Sequence, residues 1–118
     1  MEKFKKAIIA IDFDGTITHY SPYPIMGHIR EDAKVYIKKL YDKGYTLILW
    51  TSRDGDYLEE ALRSLENENL LQYFKKIKQN TPRKLIADFY IDDRAITGKI
   101  NWKKIYRYII KNIPIIKQ

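Results

Sequence analysis

Asp12 and Asp14 stand two residues apart at the end of the apolar run Ala7-Ile8-Ile9-Ala10-Ile11, and Gly15-Thr16 follows at once. Side chains alternate along an extended chain, so the two carboxylates can start on one side while Gly15 lets the backbone turn sharply behind them. Like charges that close repel unless a cation or a proton intervenes. The pair therefore implies a divalent metal, a raised pKa on one acid, or both. Thr51-Ser52-Arg53 ends a second apolar run, Tyr45 to Trp50, and Asp92-Asp93 ends a third, Ala87 to Ile91, with Lys84 just upstream. Acids, a hydroxyl and a lysine thus gather at the ends of apolar segments.

Those segments read as strands. Five apolar residues in a row, rich in isoleucine, fit a strand buried on both faces at the centre of a parallel sheet. Open α/β sheets hold their ligands outside the carboxyl ends of such strands, where these polar residues fall. Helical patterns lie between the runs. Ala33, Tyr36, Ile37 and Leu40 recur at helical spacing within Ile29 to Lys43, with Glu31 and Asp32 near the amino end and Gly44 as the stop. Asp56 and Glu59 have capping-box spacing ahead of the stripe Leu58, Ala61, Leu62 and Leu65, and this second helix is expected to fray near Asn67 to Asn69. Tyr73 to Ile77 is a short strand interrupted by lysines. Asn80-Thr81-Pro82 breaks the chain, and Arg83 to Ile86 is expected to form one helical turn. Asn101 caps a last helix carrying Trp102, Ile105, Tyr106 and Ile109, which Asn112-Ile113-Pro114 ends. Ile17 to Gly27 is too irregular for a helix and reads as a loop or small hairpin overhanging the strand ends.

Composition narrows the function. A chain of 118 residues suits one compact domain over its whole length. With no cysteine, disulfides, thiolate zinc sites and cysteine nucleophiles are excluded. Met1-Glu2-Lys3-Phe4-Lys5-Lys6 is charged and runs directly into the first strand, and no apolar stretch approaches the roughly 20 residues that span a bilayer. A soluble, cytoplasmic protein without a membrane partner is expected. The net charge of +7 favours acidic partners, nucleic acid and phosphorylated molecules among them. His19 and His28 have no clear ligand partners and read as loop or rim positions, while Tyr20 and Tyr23 either stack on a base or sugar or cover the core edge.

Taken in order, Asp12-Phe13-Asp14-Gly15-Thr16, Thr51, Lys84 and Asp92-Asp93 resemble the four motifs of the haloacid dehalogenase superfamily of phosphotransferases. Lys84 to Arg94 is also similar to small, phage-associated members of that superfamily. The resemblance implies an α/β fold: a three-layer, Rossmann-like parallel sheet with helices on both faces and a minimal (C0) cap. It implies a phosphatase working through an aspartyl-phosphate, with Asp12 as nucleophile and Asp14 as acid and then base. Thr51 would bind a phosphoryl oxygen, and Lys84 would offset the charge of Asp12 and the phosphoryl group. Phe13, Gly15, Thr16 and Ser52 would add phosphoryl contacts through the backbone, and Arg53 would meet a second phosphate or the substrate's own backbone. Mg²⁺ is the implied metal, held by the Asp12 carboxylate, the Asp14 carbonyl and Asp92, with Asp93 holding a metal-bound water. Which of Asp92 and Asp93 ligates directly is left open by the sequence, and Arg94 would guard the rim.

Large members of the superfamily carry a separate cap domain. Here the intervals from Thr16 to Thr51 and from Thr51 to Lys84 are filled by the loop, helices and strands already named. An open, basic-rimmed site would admit a nucleic-acid end, a nucleotide or another large phosphorylated substrate, and equally small phosphomonoesters if a neighbouring subunit supplies the lid, the protein being a monomer or small homo-oligomer. Two alternatives stand beside the enzyme. One is a phospho-accepting domain similar to a response-regulator receiver, with Asp54 as acceptor; the other is an inactive binding domain that keeps the fold.

Overall fold

In a computed structural model of the chain, residues 4–5, 7–79, 87–92, 100–113 and 116–117 are described. The elements run β1 (Phe4–Lys5), β2 (Ile8–Asp12), α1 (Glu31–Asp42), β3 (Thr46–Thr51), α2 (Gly55–Asn67), β4 (Phe74–Gln79), β5 (Phe89–Ile91), α3 (Trp102–Asn112) and β6 (Ile116–Lys117). Four of them form a parallel sheet in the order β4-β3-β2-β5, while β1 and β6 make a small antiparallel pair. This is a Rossmann-like α/β fold, the one the haloacid dehalogenase resemblance implies.

The apolar run around Ile9 is central for a physical reason. β2 is hydrogen-bonded to a neighbour on each side, and Ile9, Ala10 and Ile11 have no exposed surface. Alternation then sorts the faces. Ile9, Ile11, Leu47, Leu49 and Ile91 join Ala33, Ile37 and Leu40 of α1, Ala61 and Leu65 of α2, and Trp102, Ile105 and Ile109 of α3 in one hydrophobic cluster. Each fully buried Ile or Leu contributes about 1.5–3 kcal/mol relative to exposure. Ala10 and Ile48 belong to the opposite face and lie outside that cluster. On that face the Trp50 and Tyr90 rings meet edge-on across β2 at 5.4 Å, room for them being left by the small side chain of Ala10.

Helix ends follow local chemistry. Gly44, at φ 103°, ends α1 as expected: its N–H donates to the Tyr41 carbonyl at 2.9 Å and the Tyr45 N–H to the Leu40 carbonyl at 3.2 Å. This double bond pattern satisfies carbonyls that a helix end would otherwise leave open. α2 ends in the same way, at Asn67 where its end is expected, with Asn69 at φ 58° and the Leu70 N–H on the Leu65 carbonyl at 2.8 Å. The expected capping box is also corrected. Asp54, not Asp56, is the cap position, and Asp56 lies inside the first turn of α2. Asn101 does cap α3, accepting from the Lys104 N–H at 3.1 Å. α1 begins at Glu31 because Ile29 is engaged in an antiparallel bridge with Thr18, and β4 runs Phe74–Gln79 after a short turn of helix at Leu71–Tyr73. The expected turn at Arg83 to Ile86 lies outside the described residues. No helix among the described residues is long and apolar enough to cross a membrane.

Candidate active site

Register places the site. Asp12 pairs with Trp50 on β3, and Ile11 pairs with Ile91 on β5, so Thr51 and Asp92 each follow immediately on the residues beside Asp12 and Ile11. Asp12, Thr51 and Asp92 therefore line one end of three adjacent parallel strands, as the sequence placed them. Asp12 and Asp92 are half-buried, whereas Thr51 is buried.

The chain turns after Asp12 in a defined way. Asp14 (φ −68°, ψ 126°) and Gly15 (φ 77°, ψ −6°) occupy the two central positions of a type II turn. Such a turn needs positive φ at its second central residue, which is why glycine follows the second acid. A wider loop closes around it: the Thr18 N–H donates to the Phe13 carbonyl and the Gly15 N–H to Thr18 Oγ1, each at 3.1 Å. Thr16 Oγ1 lies 3.3 Å from Asp12 Oδ2 and donates to it. Phe13, Gly15 and Thr16 are themselves buried. The Gly15 N–H, expected to face a phosphoryl group, is engaged by Thr18 Oγ1 within the turn.

Neighbouring elements brace this turn. Trp102 Nε1 of α3 donates to the Thr16 carbonyl at 3.0 Å, and Arg30 donates through Nε to the Thr18 carbonyl at 3.0 Å and through Nη2 to the Gly15 carbonyl at 3.5 Å. In the sequence, Trp102 shows only as a core position of the last helix, and nothing local marks Arg30. Both pairings are long-range, so no spacing rule exposes them. The expected loop or small hairpin is present: Thr18 bridges Ile29, and the His19 N–H donates to the His28 carbonyl at 2.8 Å. Gly27 is required there, because a Cβ would fall 2.2 Å from the His19 carbonyl oxygen. Both histidine side chains are exposed, and no cluster of three or more metal-ligating side chains occurs among the described residues.

Arg53 departs most from expectation. The sequence sets it against substrate; in the structure the residue is fully buried and its guanidinium grips Asp14, Nε to Oδ2 at 2.8 Å and Nη2 to Oδ1 at 2.7 Å. The same group reaches the Pro24 carbonyl (Nη2, 3.2 Å), the Tyr57 carbonyl (Nη1, 3.4 Å) and, at 3.7 Å, Glu60 Oε1. The rings of Phe13 and Tyr23 stand 5.7 and 5.4 Å from its central carbon. Hydrogen bonding to Asp14 raises the guanidinium pKa further above its already high value, against the opposing effect of burial. The cation required beside the acid pair is thus, at Asp14, a side chain. Thr51 fixes the start of this turn, its Oγ1 accepting the Arg53 N–H at 3.1 Å. Ser52 is exposed at the rim. Lys84, Asp93 and Arg94 lie outside the described residues.

No family model and no curated protein matches the chain. Among solved structures, a conserved protein from Bacteroides thetaiotaomicron is 34% identical, with 91% of this chain and 92% of that one covered and a TM-score of 0.78. The chain belongs to the family of that protein. This family membership extends over nearly the whole of both chains and carries no statement of activity with it. More remote are the cobalt-bound deoxy-D-mannose-octulosonate 8-phosphate phosphatase of Haemophilus influenzae (18% identity, 64% of this chain, 43% of that one, TM-score 0.44) and an uncharacterized protein of Listeria monocytogenes serotype 4b (18%, 93%, 62%, 0.46).

Proposed function

We propose that the chain is a small phosphomonoester hydrolase of the haloacid dehalogenase type, acting through an aspartyl-phosphate at Asp12. The observation that carries this reading is the register, which brings Asp12, Thr51 and Asp92 to one end of adjacent strands, with Asp14 on the turn that leaves the central one. In the first half, an Asp12 oxygen bonds to phosphorus, the bond from phosphorus to the leaving oxygen breaks, and that oxygen keeps the electron pair and takes a proton from Asp14. In the second half, water bonds to phosphorus and gives a proton to Asp14, while the phosphorus bond to Asp12 breaks and its electrons return to the carboxylate. The Thr51 hydroxyl accepts from the Arg53 N–H and has its own hydrogen to donate to a phosphoryl oxygen.

The donor set suits a hard divalent cation. Asp12 and Asp92 offer half-buried carboxylates from neighbouring strand ends, and the Asp14 carbonyl is a third oxygen, a set that fits Mg²⁺ with several waters retained. Bound there, the ion would offset negative charge on the phosphoryl group. Lys84 as a further positive charge and Asp93 as an outer ligand complete the reading by resemblance. The substrate side is assigned to large phosphorylated molecules, a nucleic-acid end or a nucleotide among them. This rests on the +7 charge and on the short hairpin that is the described cover. An open cleft of about 440 Å³, lined by Pro24, Ile25, Met26, Tyr57 and Glu60, adjoins Arg53.

Turnover of 4-nitrophenyl phosphate with Mg²⁺, and its loss on chelation, tests the reaction class. A terminally phosphorylated oligonucleotide, a nucleoside monophosphate and a sugar phosphate compared side by side test the substrate; preference for the sugar ester would remove the macromolecular assignment.

A further inference from the structure

We infer that Arg53 is the positioning residue for Asp14 and takes its own position from the hairpin and from the start of α2, so that the proton transfers at Asp14 depend on a guanidinium buried beneath the site. The inference rests on the phosphatase reading above and adds a residue to it.

A carboxylate on a turn, with 26% of its side chain exposed, has rotamers to choose from. A planar fork bound to both its oxygens removes that choice, at 2.8 Å through Nε and 2.7 Å through Nη2. The fork is itself located by three segments. Thr51 Oγ1 holds its backbone N–H, the Pro24 carbonyl of the hairpin takes Nη2, and the Tyr57 carbonyl of α2 takes Nη1. Phe13 and Tyr23 flank the guanidinium. Nη2 is thereby shared between Asp14 Oδ1 and the Pro24 carbonyl at 3.2 Å. When Oδ1 carries the proton destined for the leaving oxygen, Nη2 still has the Pro24 carbonyl as acceptor, while Nε keeps Oδ2 in place. Lysine cannot reproduce this. It keeps the charge but not the fork, and misplacing a reacting group by about 1 Å costs on the order of 10²-fold.

The test compares two esters that need the proton to different extents. 4-Nitrophenyl phosphate expels a stable anion, whereas ethyl phosphate expels an alkoxide that must be protonated. In Arg53→Lys the kcat/KM for ethyl phosphate, which reports the step that expels the leaving group, should fall about tenfold or more beyond the fall for 4-nitrophenyl phosphate, roughly a tenth of the usual 10²–10⁴-fold value of general acid catalysis being at stake. The ratio of the two rates is independent of how much enzyme is folded. In an Asp14→Asn background the same change should leave the ratio unaltered. Arg53→Gln, which keeps an N–H donor, replaces the lysine variant should that one not fold. An equal loss with both esters overturns the inference, as does failure of both variants to fold, since Arg53 is then a structural residue only. If the wild-type protein turns over neither ester, the phosphatase reading itself fails and the inference with it.

Discussion

The turn that leaves β2 and the turn that leaves β3 sit side by side at the same end of the sheet and are built in opposite ways. The first, Phe13–Ile17, locks its backbone through Gly15 and Thr18 and leaves the carboxylates of Asp12 and Asp14 half-exposed. The second, after Thr51, sends a fully buried arginine back towards the first, and the reach of Arg53 to Asp14 spans 39 residues of sequence. One turn presents reactive groups, and the other holds one of them. The difference teaches that the two acids, so alike in sequence, are unequal in surroundings. Asp14 is clamped by the Arg53 guanidinium from the second turn, and Asp12 receives the Thr16 hydroxyl of its own turn at 3.3 Å.

The largest expected effect separates the two acids. Asp12→Asn should lower kcat on the order of 10⁴-fold or more, because an amide cannot serve as the nucleophile, with little change in melting temperature. Asp14→Asn should lower kcat/KM by about 10²–10⁴-fold with alkyl phosphates and by less with 4-nitrophenyl phosphate, as loss of a proton donor does. Steady-state kinetics on both variants with both esters checks this. Equal sensitivity of the two variants to the leaving group would erase the distinction between the acids.

The first turn was legible in the sequence and the second was not. An isoleucine run, two acids two positions apart and then glycine fix strand and turn by local rules, and the structure realises both around Asp12, Asp14 and Gly15. The caps at Gly44 and Asn101 were legible for the same reason. The contacts of Arg53 have no local signal because its partners, Asp14, Pro24 and Tyr57, come from separate segments that only the folded chain brings together. A charged residue following a strand end ordinarily reads as solvated or ligand-facing, and burial of its whole side chain has no local signal. Trp102 and Arg30, which brace the Thr16 and Thr18 carbonyls from α3 and from the hairpin, escaped for the same reason.

Smaller perturbations sharpen the contrast. Gly15→Ala forces an L side chain into φ 77° and should cost about 1–2 kcal/mol in urea unfolding, together with turnover, since the acid pair moves with the backbone. An unchanged midpoint would show that this turn is not held as tightly as its hydrogen bonds imply. Asn101→Ala removes the α3 cap on the Lys104 N–H and should cost about 1 kcal/mol with turnover per folded molecule unchanged. Loss of rate there would mean that α3 does more for the site than support it through Trp102.

The central claim, that Asp12 carries the phosphoryl group, is tested most directly by trapping it. Wild-type protein and Asp14→Asn, quenched during turnover with Mg²⁺ and reduced with borohydride, should each yield a reduced side chain at position 12 on peptide mapping. The variant should yield more, because hydrolysis of its intermediate is slowed. Reduction at Asp54 instead, or turnover with no trapped carboxylate in either protein, would contradict the account.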